Sequence, residues 1–154
     1  MLSRLIYASV ATEALNPEKV QTLLAQARNH NERHDITGML IFNSRCFLQV
    51  LEGDREALNE LYGRLTHDTR HRRLLLLGFE AIDERQFPGW SMGFAAADAL
   101  QRTQYLRFGA TSEFDPYRLT GPAALGLLMN WGRTAKSAER VKGQATLQKV
   151  AATG

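Results

Sequence analysis

Apolar residues in the first two thirds of the chain switch between the alternating spacing of strands and the spacing of helices. Each change falls at a polar, glycine- or proline-containing stretch, where a turn or helix cap is expected. The predicted elements are a strand over 2–10, a helix over 17–33, strands over 37–43 and 46–51, a helix over 55–66, a strand over 74–81 and a short strand over 90–94.

The boundaries of these elements carry specific signals. Asn16 is a good N-cap and Pro17 suits the first helical position, so the first helix is expected to begin there. Asp54 is the expected cap of the second helix. The polar stretch 43–45 predicts a tight turn that joins the second and third strands as a hairpin.

The order β-α-β-β-α-β-β is typical of an α+β, ferredoxin-like fold, in which two helices cover one face of a mixed antiparallel sheet. Because crossovers between strands are right-handed, both helices are expected on the same face. Two further helical segments, 98–108 and 120–131, carry apolar residues that need a partner. They are predicted either to cover the other face of the sheet or to form a contact between copies of the chain.

The pattern divides the chain into three parts. Residues 1–97 are predicted to form the ligand-binding domain, and residues 98–132 a C-terminal helical extension. Residues 133–154 are small and polar, and we expect them to be a disordered basic tail.

The composition is that of one ordinary domain, with 154 residues, 44% of them apolar, and one cysteine. A single cysteine cannot form an internal disulfide, which favours a reducing compartment. No apolar run approaches the roughly 18 residues of a membrane span, and the chain starts with a strand pattern instead of a signal peptide. A cytoplasmic protein without membrane attachment is therefore expected.

The positive charge is concentrated near the C-terminus. From Arg133 onwards the chain carries five basic residues and one acidic residue, which leaves the first 132 residues at about −1 out of a total of +3. A nucleic-acid-binding domain is expected to carry its basic residues on a folded face. The charge distribution therefore argues against nucleic acid as a partner.

One residue does not fit the strand that contains it. Gln49 is an amide within an apolar strand, on the same face as Phe47 and Leu51. A buried amide without a partner costs about 1–3 kcal/mol, so Gln49 must either lie in water or be hydrogen-bonded inside the fold. Taken alone, Gln49 is most simply a structural glutamine, but the residues expected around it change that interpretation.

Tyr7 and Gln49 are predicted to lie close together, because the first and third strands are neighbours in the ferredoxin-like order. If both face the helices, Asn31 joins them from the end of the first helix. Leu23 and Leu65 then provide apolar walls from the two helices. A slot with a phenol and two amides at its base suits a flat heteroaromatic ring with carbonyl and imide edges, since amides both donate and accept.

Six segments carry a more specific resemblance, namely 5–9 (LIYAS), 30–31 (HN), 36–40 (ITGML), 47–53 (FLQVLEG), 68–72 (DTRHR) and 87–94 (FPGWSMGF). In this order and at this spacing they resemble the BLUF family, sensors of blue light that use FAD. The resemblance covers about 1–94, and the later helices resemble the C-terminal helices of single-domain members.

This resemblance implies that FAD binds non-covalently, with its isoalloxazine ring between the two helices. Asn31 would hydrogen-bond the polar edge of the ring. His30 stands where members often have the first of two asparagines, so the family does not settle its direct role. The other residues implied in cofactor binding are Tyr7, Leu23, Phe47, Gln49, Leu65, Asp68, Arg70 and His71, with Arg72 beside the last two along the ribityl chain and diphosphate.

The resemblance also implies a photochemical mechanism. Tyr7 would donate an electron to the excited flavin, and Gln49 would relay the phenol proton. Gln49 would be left rotated or tautomerised, and its new hydrogen bond to a flavin carbonyl would shift the absorption to the red. One hydrogen bond contributes about 0.5–1.5 kcal/mol, enough to bias a two-state element.

The element implied as the output is the segment with Trp90 and Met92, either of which could face the flavin. No fused output domain is expected from the sequence, so the resemblance implies a signalling module and not an enzyme. Its partners would be a downstream signalling protein of unknown identity and further copies of the chain.

Two other functions fit the same fold class. An acylphosphatase-like enzyme would need an arginine in a phosphate-binding loop after the first strand, but 11–14 contains neither arginine nor glycine. An RNA-binding ferredoxin-like domain would expose aromatic residues on central strands beside basic residues. Phe42 and Phe47 could serve in that way, although the nearly neutral body does not favour it.

Overall fold

Residues 1–135 are described in the computed structural model of the protein, and their elements follow the predicted order. The strands are β1 (Leu2–Ala11), β2 (Thr37–Phe42), β3 (Cys46–Asp54), β4 (His71–Ala81) and β5 (Gly93–Ala96). The helices are α1 (Pro17–Arg33), α2 (Arg55–Thr66), α3 (Arg102–Phe108) and α4 (121–135), with short 3-10 turns at Ala97–Ala99 and Pro116–Arg118.

The five strands form one sheet in the order β4-β1-β3-β2-β5. Neighbouring strands are antiparallel except β2 and β5, which run parallel. This is the predicted ferredoxin-like sheet with one added strand. The register of β1 against β3 places Tyr7 directly opposite Gln49.

The two central helices cover one face of the sheet, as predicted. Val20 and Leu24 of α1 and Leu58 of α2 are buried against Leu5 and Leu51. Both helix caps are also as expected: the Asn16 side chain accepts from the Lys19 amide and that of Asp54 from the Glu56 amide.

The other face of the sheet is covered by α3 and α4. Tyr105 of α3 and Leu127 and Leu128 of α4 pack with Ile6 and Leu48 of the sheet. Of the two roles left open for these helical segments, the structure therefore shows the first.

Three predicted boundaries need correction. β4 begins at His71 instead of residue 74, so His71, Arg72 and Arg73 belong to the strand. Pairing with β1 continues to His71 through a register shift beside Arg73, whose φ of 54° is left-handed. The helix predicted over 98–108 begins only at Arg102, where Gln101 and Gln104 form a capping box.

The predicted strand over 90–94 is a strand only from Gly93, where pairing with β2 starts. Its bulky residues do not share one face, although the alternation of side chains along a strand would place them together. Trp90 packs against the core beneath α3 and α4, whereas Met92 and Phe94 pack on the side of α1 and α2. The connection from β4 to β5 therefore contacts both layers of the protein.

A buried ion pair anchors the start of that connection. The guanidinium of Arg4 donates to the fully buried Glu52 carboxylate from Nε and Nη2, each at 3.1 Å. The same carboxylate accepts from the backbone N–H groups of Gln86 and Phe87. Removing one partner of such a pair is far more destabilising than the net value of the pair, so we assign Glu52 a structural role.

Residues 133–135 of the predicted tail continue α4, and the rest of that prediction, 136–154, lies outside the described residues. Within the described part, no helix is both long and apolar enough to cross a membrane.

Candidate functional site

A cleft with a cavity of about 130 Å³ opens between α1 and α2 above the centre of the sheet. Its base is formed by Tyr7 and Gln49 and its walls by Leu23, Phe47 and Leu65. The remaining lining residues are Val20, Leu24, Ala27, Leu40, Asp68, Arg70, His71 and Met92. A mostly apolar lining with a few polar groups is typical of a ligand-binding cleft.

A chain of hydrogen bonds runs across the base of the cleft. The hydroxyl of Tyr7 donates to Oε1 of Gln49, and Nε2 of Gln49 donates to Sδ of Met92 at 3.3 Å. All three side chains are buried. The amide predicted to need an internal partner therefore has two, one on each side.

Burial controls the protonation state of the phenol. Removal from water raises the pKa of Tyr7 well above its usual value, and the charges of Asp68 and Tyr62 act in the same direction. Tyr7 is consequently neutral at physiological pH and keeps the proton that it donates to Gln49.

Asn31 reaches the site from the last turn of α1, within an adjoining cavity of about 340 Å³. Its Nδ2 donates to the carbonyl of Ser91 at 2.7 Å. His30 lies beside it, 3.4 Å from Nδ1 to the Asn31 Oδ1, and its Nε2 is 2.6 Å from Nη2 of Arg64 on α2. Burial lowers the pKa of His30, and the charge of Arg64 lowers it further. The hydrogen bond to Asn31 acts in the opposite direction.

Charged groups lie at one end of the cleft. Asp68 and Arg70 form an ion pair at 2.7 Å, and Nη1 of Arg70 also donates to Oε1 of Gln26 on α1. The hydrogen bond from Arg70 lowers the pKa of Asp68 to about 2. Leu23 and Arg70 line both of these cavities and also a third, of about 550 Å³, beside the connection from β1 to α1.

His71 has an unused hydrogen-bonding atom beside the base of the cleft. Nδ1 lies 3.0 Å from Oγ of Ser9, while Nε2 is buried without a hydrogen-bond partner of good geometry among residues 1–135. Burial lowers the pKa of His71. The charge of Asp68 and the nearby Leu65 carbonyl act in the opposite direction and raise it, but burial has the larger effect. A buried polar atom without a partner is uncommon, and a ligand hydroxyl in the cleft would satisfy it.

Of the twelve site residues predicted, eleven line the two cavities between α1 and α2, and Trp90 does not. Trp90 instead stacks on Phe87, with ring centroids 6.4 Å apart. The sequence left open whether Trp90 or Met92 faces the flavin, and in this structure Met92 is the one that lines the cleft.

Three polar contributors were not predicted. Gln26 holds Arg70, Ser91 supplies the carbonyl bound by Asn31, and Nε of Arg28 donates to the carbonyl of Met92 at 3.0 Å. Two of these contacts use backbone carbonyls, which leave no trace in residue type. Gln26 and Arg28 lie on the helix between the predicted Leu23 and Asn31, and their placement near that face was the available signal.

The residues present fit a flavin. Apolar side chains face each other across the cleft, as the flat ring would need, and two amides could meet the polar edge of the ring. The unpaired Nε2 of His71 and the Arg70 guanidinium would suit the hydroxylated and anionic tail. Amides and guanidinium groups supply the donors and acceptors that an isoalloxazine edge and a phosphate need.

Solved structures share this fold, and curated proteins are similar to the chain in sequence. The photo-activated state of BlsA matches with a TM-score of 0.75 and 30% identity, covering 83% of this chain and 92% of BlsA. A photoactivated adenylate cyclase subunit beta of Euglena longa is 30% identical over 64% of this chain. The blue light- and temperature-regulated antirepressor BluF of Escherichia coli (strain K12) is 32% identical over 56%.

These matches identify the class as blue-light photoreceptors. A family model described as BLUF, sensors of blue-light using FAD, matches residues 2–93, and the chain belongs to this family. The matched region spans only 12% of the cyclase subunit and 22% of the antirepressor. The family binds flavin and signals to output domains or proteins, and the acylphosphatase-like and RNA-binding alternatives are not favoured.

Proposed function

We propose that this chain senses blue light by binding FAD non-covalently in the cleft between α1 and α2 and by rearranging the hydrogen bonds of Gln49. The observation that carries this proposal is the continuous chain from the Tyr7 hydroxyl through the Gln49 amide to the Met92 sulfur. It joins an oxidisable phenol to the segment that enters β5.

Bound flavin would supply the absorption of blue light and an excited state that accepts an electron. Tyr7 is suited to give up that electron, because its phenol is neutral and already hydrogen-bonded to a proton acceptor. Oxidation makes the phenol strongly acidic, so its proton moves to Oε1 of Gln49 as the electron leaves. Electron and proton later return to Tyr7.

The Gln49 amide would convert this transfer of an electron and a proton into a structural change. The amide donates to Met92 from one end and accepts from Tyr7 at the other, so rotation or tautomerisation of the amide changes both contacts together. A hydrogen bond contributes about 0.5–1.5 kcal/mol, which shifts the balance between two arrangements without unfolding the domain.

The cleft favours FAD over shorter flavins through its extent. The third cavity, lined by Thr12, Asn16, Lys19 and Thr69 among others, continues from Leu23 and Arg70 past the N-terminus of α1. This space and its polar lining suit the adenosine diphosphate part of FAD, with Arg70 near the phosphates.

The output would be a change in binding to another protein or to further copies of the chain, and not catalysis. Tyr7, Gln49 and Met92 are buried, so the signal must reach a partner through backbone movement near β5.

An absorption spectrum before and after blue light tests the proposal. The expected result is a flavin spectrum that shifts to the red on illumination and relaxes in the dark. A flavin spectrum that does not move would contradict the Tyr7–Gln49 mechanism. A colourless protein that cannot be reconstituted with FAD would contradict the proposed function as a whole.

A further inference from the structure

We propose that Arg28 is a positioning residue that holds the backbone at Met92 to α1 and thereby limits how far a change at Gln49 spreads into β5. The inference rests on the proposed function only for the light-driven step. The hold itself is a property of the unilluminated protein and can be tested separately.

Helix α1 holds two consecutive carbonyls of the segment that precedes β5. Nδ2 of Asn31 donates to the Ser91 carbonyl at 2.7 Å, and Nε of Arg28 donates to the Met92 carbonyl at 3.0 Å. Residues three apart on a helix lie on the same face, which explains how both reach neighbouring peptide groups.

Of the two carbonyls, that of Met92 matters more for the link between Gln49 and β5. Met92 is the last residue before β5, and the following residue, Gly93, begins the pairing with Met39 of β2. The Met92 side chain points back into the cleft and accepts from Gln49. One residue is therefore held through its side chain by the light-sensitive amide and through its backbone by Arg28.

The guanidinium of Arg28 is committed to this contact. No carboxylate lies within ion-pair distance of Arg28 in residues 1–135, and Met92 supplies its hydrogen-bond acceptor there. Arg28 is half-buried, at a groove of about 440 Å³ bordered by Trp90 and Trp131. A hydrogen bond from a charged donor is about twice as strong as a neutral one, and more so where water is partly excluded.

The consequence follows from the geometry. When the Gln49 amide turns, Nε2 no longer faces the Met92 sulfur and the side chain is released. The carbonyl bond to Arg28 then remains as the tether of Met92 to α1. Weakening that tether should loosen the segment 90–96 even in the dark, without altering the hydrogen bond between Tyr7 and Gln49.

Hydrogen exchange of the flavin-loaded full chain, measured in darkness and under continuous blue light, tests this inference. We expect Arg28→Met, which keeps an unbranched side chain and removes every donor, to retain the red shift and to raise dark exchange in 90–96 at least about ten-fold, the effect of losing one charge-assisted hydrogen bond. The light-induced increase in that segment should be larger than in the wild type, because neither Gln49 nor residue 28 then holds Met92. Arg33→Met, at an exposed arginine of the same helix, should behave like the wild type.

Arg28→Lys keeps the charge and one donor, and we expect an intermediate rise in dark exchange. This variant decides the matter if Arg28→Met fails to fold or loses its flavin. Wild-type exchange in 90–96 for a folded Arg28→Met, or for Arg28→Lys in that event, would overturn the proposal. Absence of a red shift in the wild type would overturn the proposed function instead, and dark exchange would still test the hold by Arg28.

Discussion

Tyr7 and Gln49 face each other as register partners of β1 and β3, and the phenol hydroxyl donates directly to the amide oxygen. The position of both residues is set by the pairing of two central strands, whose neighbours Leu5, Leu51 and Leu48 are buried. A shift of one residue in this register would turn Gln49 to the other face of the sheet. The contact between Tyr7 and Gln49 is therefore fixed by the same strand pairing and packing that fix the core.

Tyr7→Phe removes the electron and proton donor and leaves the shape of the cleft almost unchanged. We expect the variant to bind flavin and to show no red shift after blue light, because phenylalanine is much harder to oxidise and has no hydroxyl proton. Absorption spectra before and after illumination provide the measurement. The matched control is Tyr62→Phe, since the Tyr62 ring lies 6.3 Å from that of Tyr7. A normal shift in Tyr7→Phe would rule out Tyr7 as the donor.

Gln49→Leu preserves the approximate volume of the side chain and removes both hydrogen bonds. We expect flavin binding without a photocycle, since neither the Tyr7 hydroxyl nor the Met92 sulfur retains its partner. The Tyr7 hydroxyl then loses a buried partner, at a cost of about 1–3 kcal/mol in the free energy of unfolding. Spectra and urea unfolding of the same preparation measure both effects. A reversible red shift in this variant would contradict the role assigned to the amide.

Asn31→Ala should weaken flavin retention, because it removes the amide that reaches the second cavity and fixes the Ser91 carbonyl. The ratio of flavin to protein after purification is the measurement. Asn29→Ala is the matched control, as Asn29 lies on the exposed side of the same helical turn. Equal flavin content in both variants would show that Asn31 is not a principal contact.

Much of this site could be predicted from the sequence because it depends on strand register and helix period. Tyr7, Gln49, Asn31, Leu23 and Leu65 follow from alternation along strands and from the apolar stripes of helices, and all five line the cleft or its adjoining cavity. Such positions are set by the packing of the elements that carry them, which is the most regular feature of a fold.

The part that could not be predicted lies in irregular backbone. Trp90 and Met92 alternate with small residues as in a strand, yet they point to opposite layers because β5 begins only at Gly93. The contacts of Arg28 and Asn31 end on backbone carbonyls, which every residue possesses. Residue pattern carries no information about either feature.

Trp90→Ala should leave the red shift intact and change the rate of dark recovery. Trp90 lies outside the cleft but covers Gly93, where a Cβ atom would lie only 2.6 Å from the indole ring. Removing the indole leaves a gap beside the start of β5 and loosens the segment that must return in the dark. Recovery of the absorption spectrum after a light pulse is the measurement, with Trp90→Phe as the conservative control. An unchanged recovery rate in Trp90→Ala would separate Trp90 from the output.

Stability should decrease as the pH falls from about 7.5 to 5.5, because burial holds the pKa of His71 and that of His30 below the ordinary value of about 6.5. In this window the unfolded chain binds protons that the folded chain does not, so lower pH favours unfolding. The carboxyl of Asp68, with its pKa of about 2, stays ionised throughout and adds nothing to the change.

The free energy of urea unfolding at the two pH values measures this effect. His71→Asn should lose less stability on acidification than the wild type, since one of the two buried imidazoles is gone. His67→Asn, at an exposed histidine, should lose as much as the wild type. If His71→Asn and the wild type lose equal stability, the imidazole of His71 is readily protonated in the folded protein. The Nε2 atom of His71 would then be accessible to water, and it would not be a buried atom available to a ligand hydroxyl.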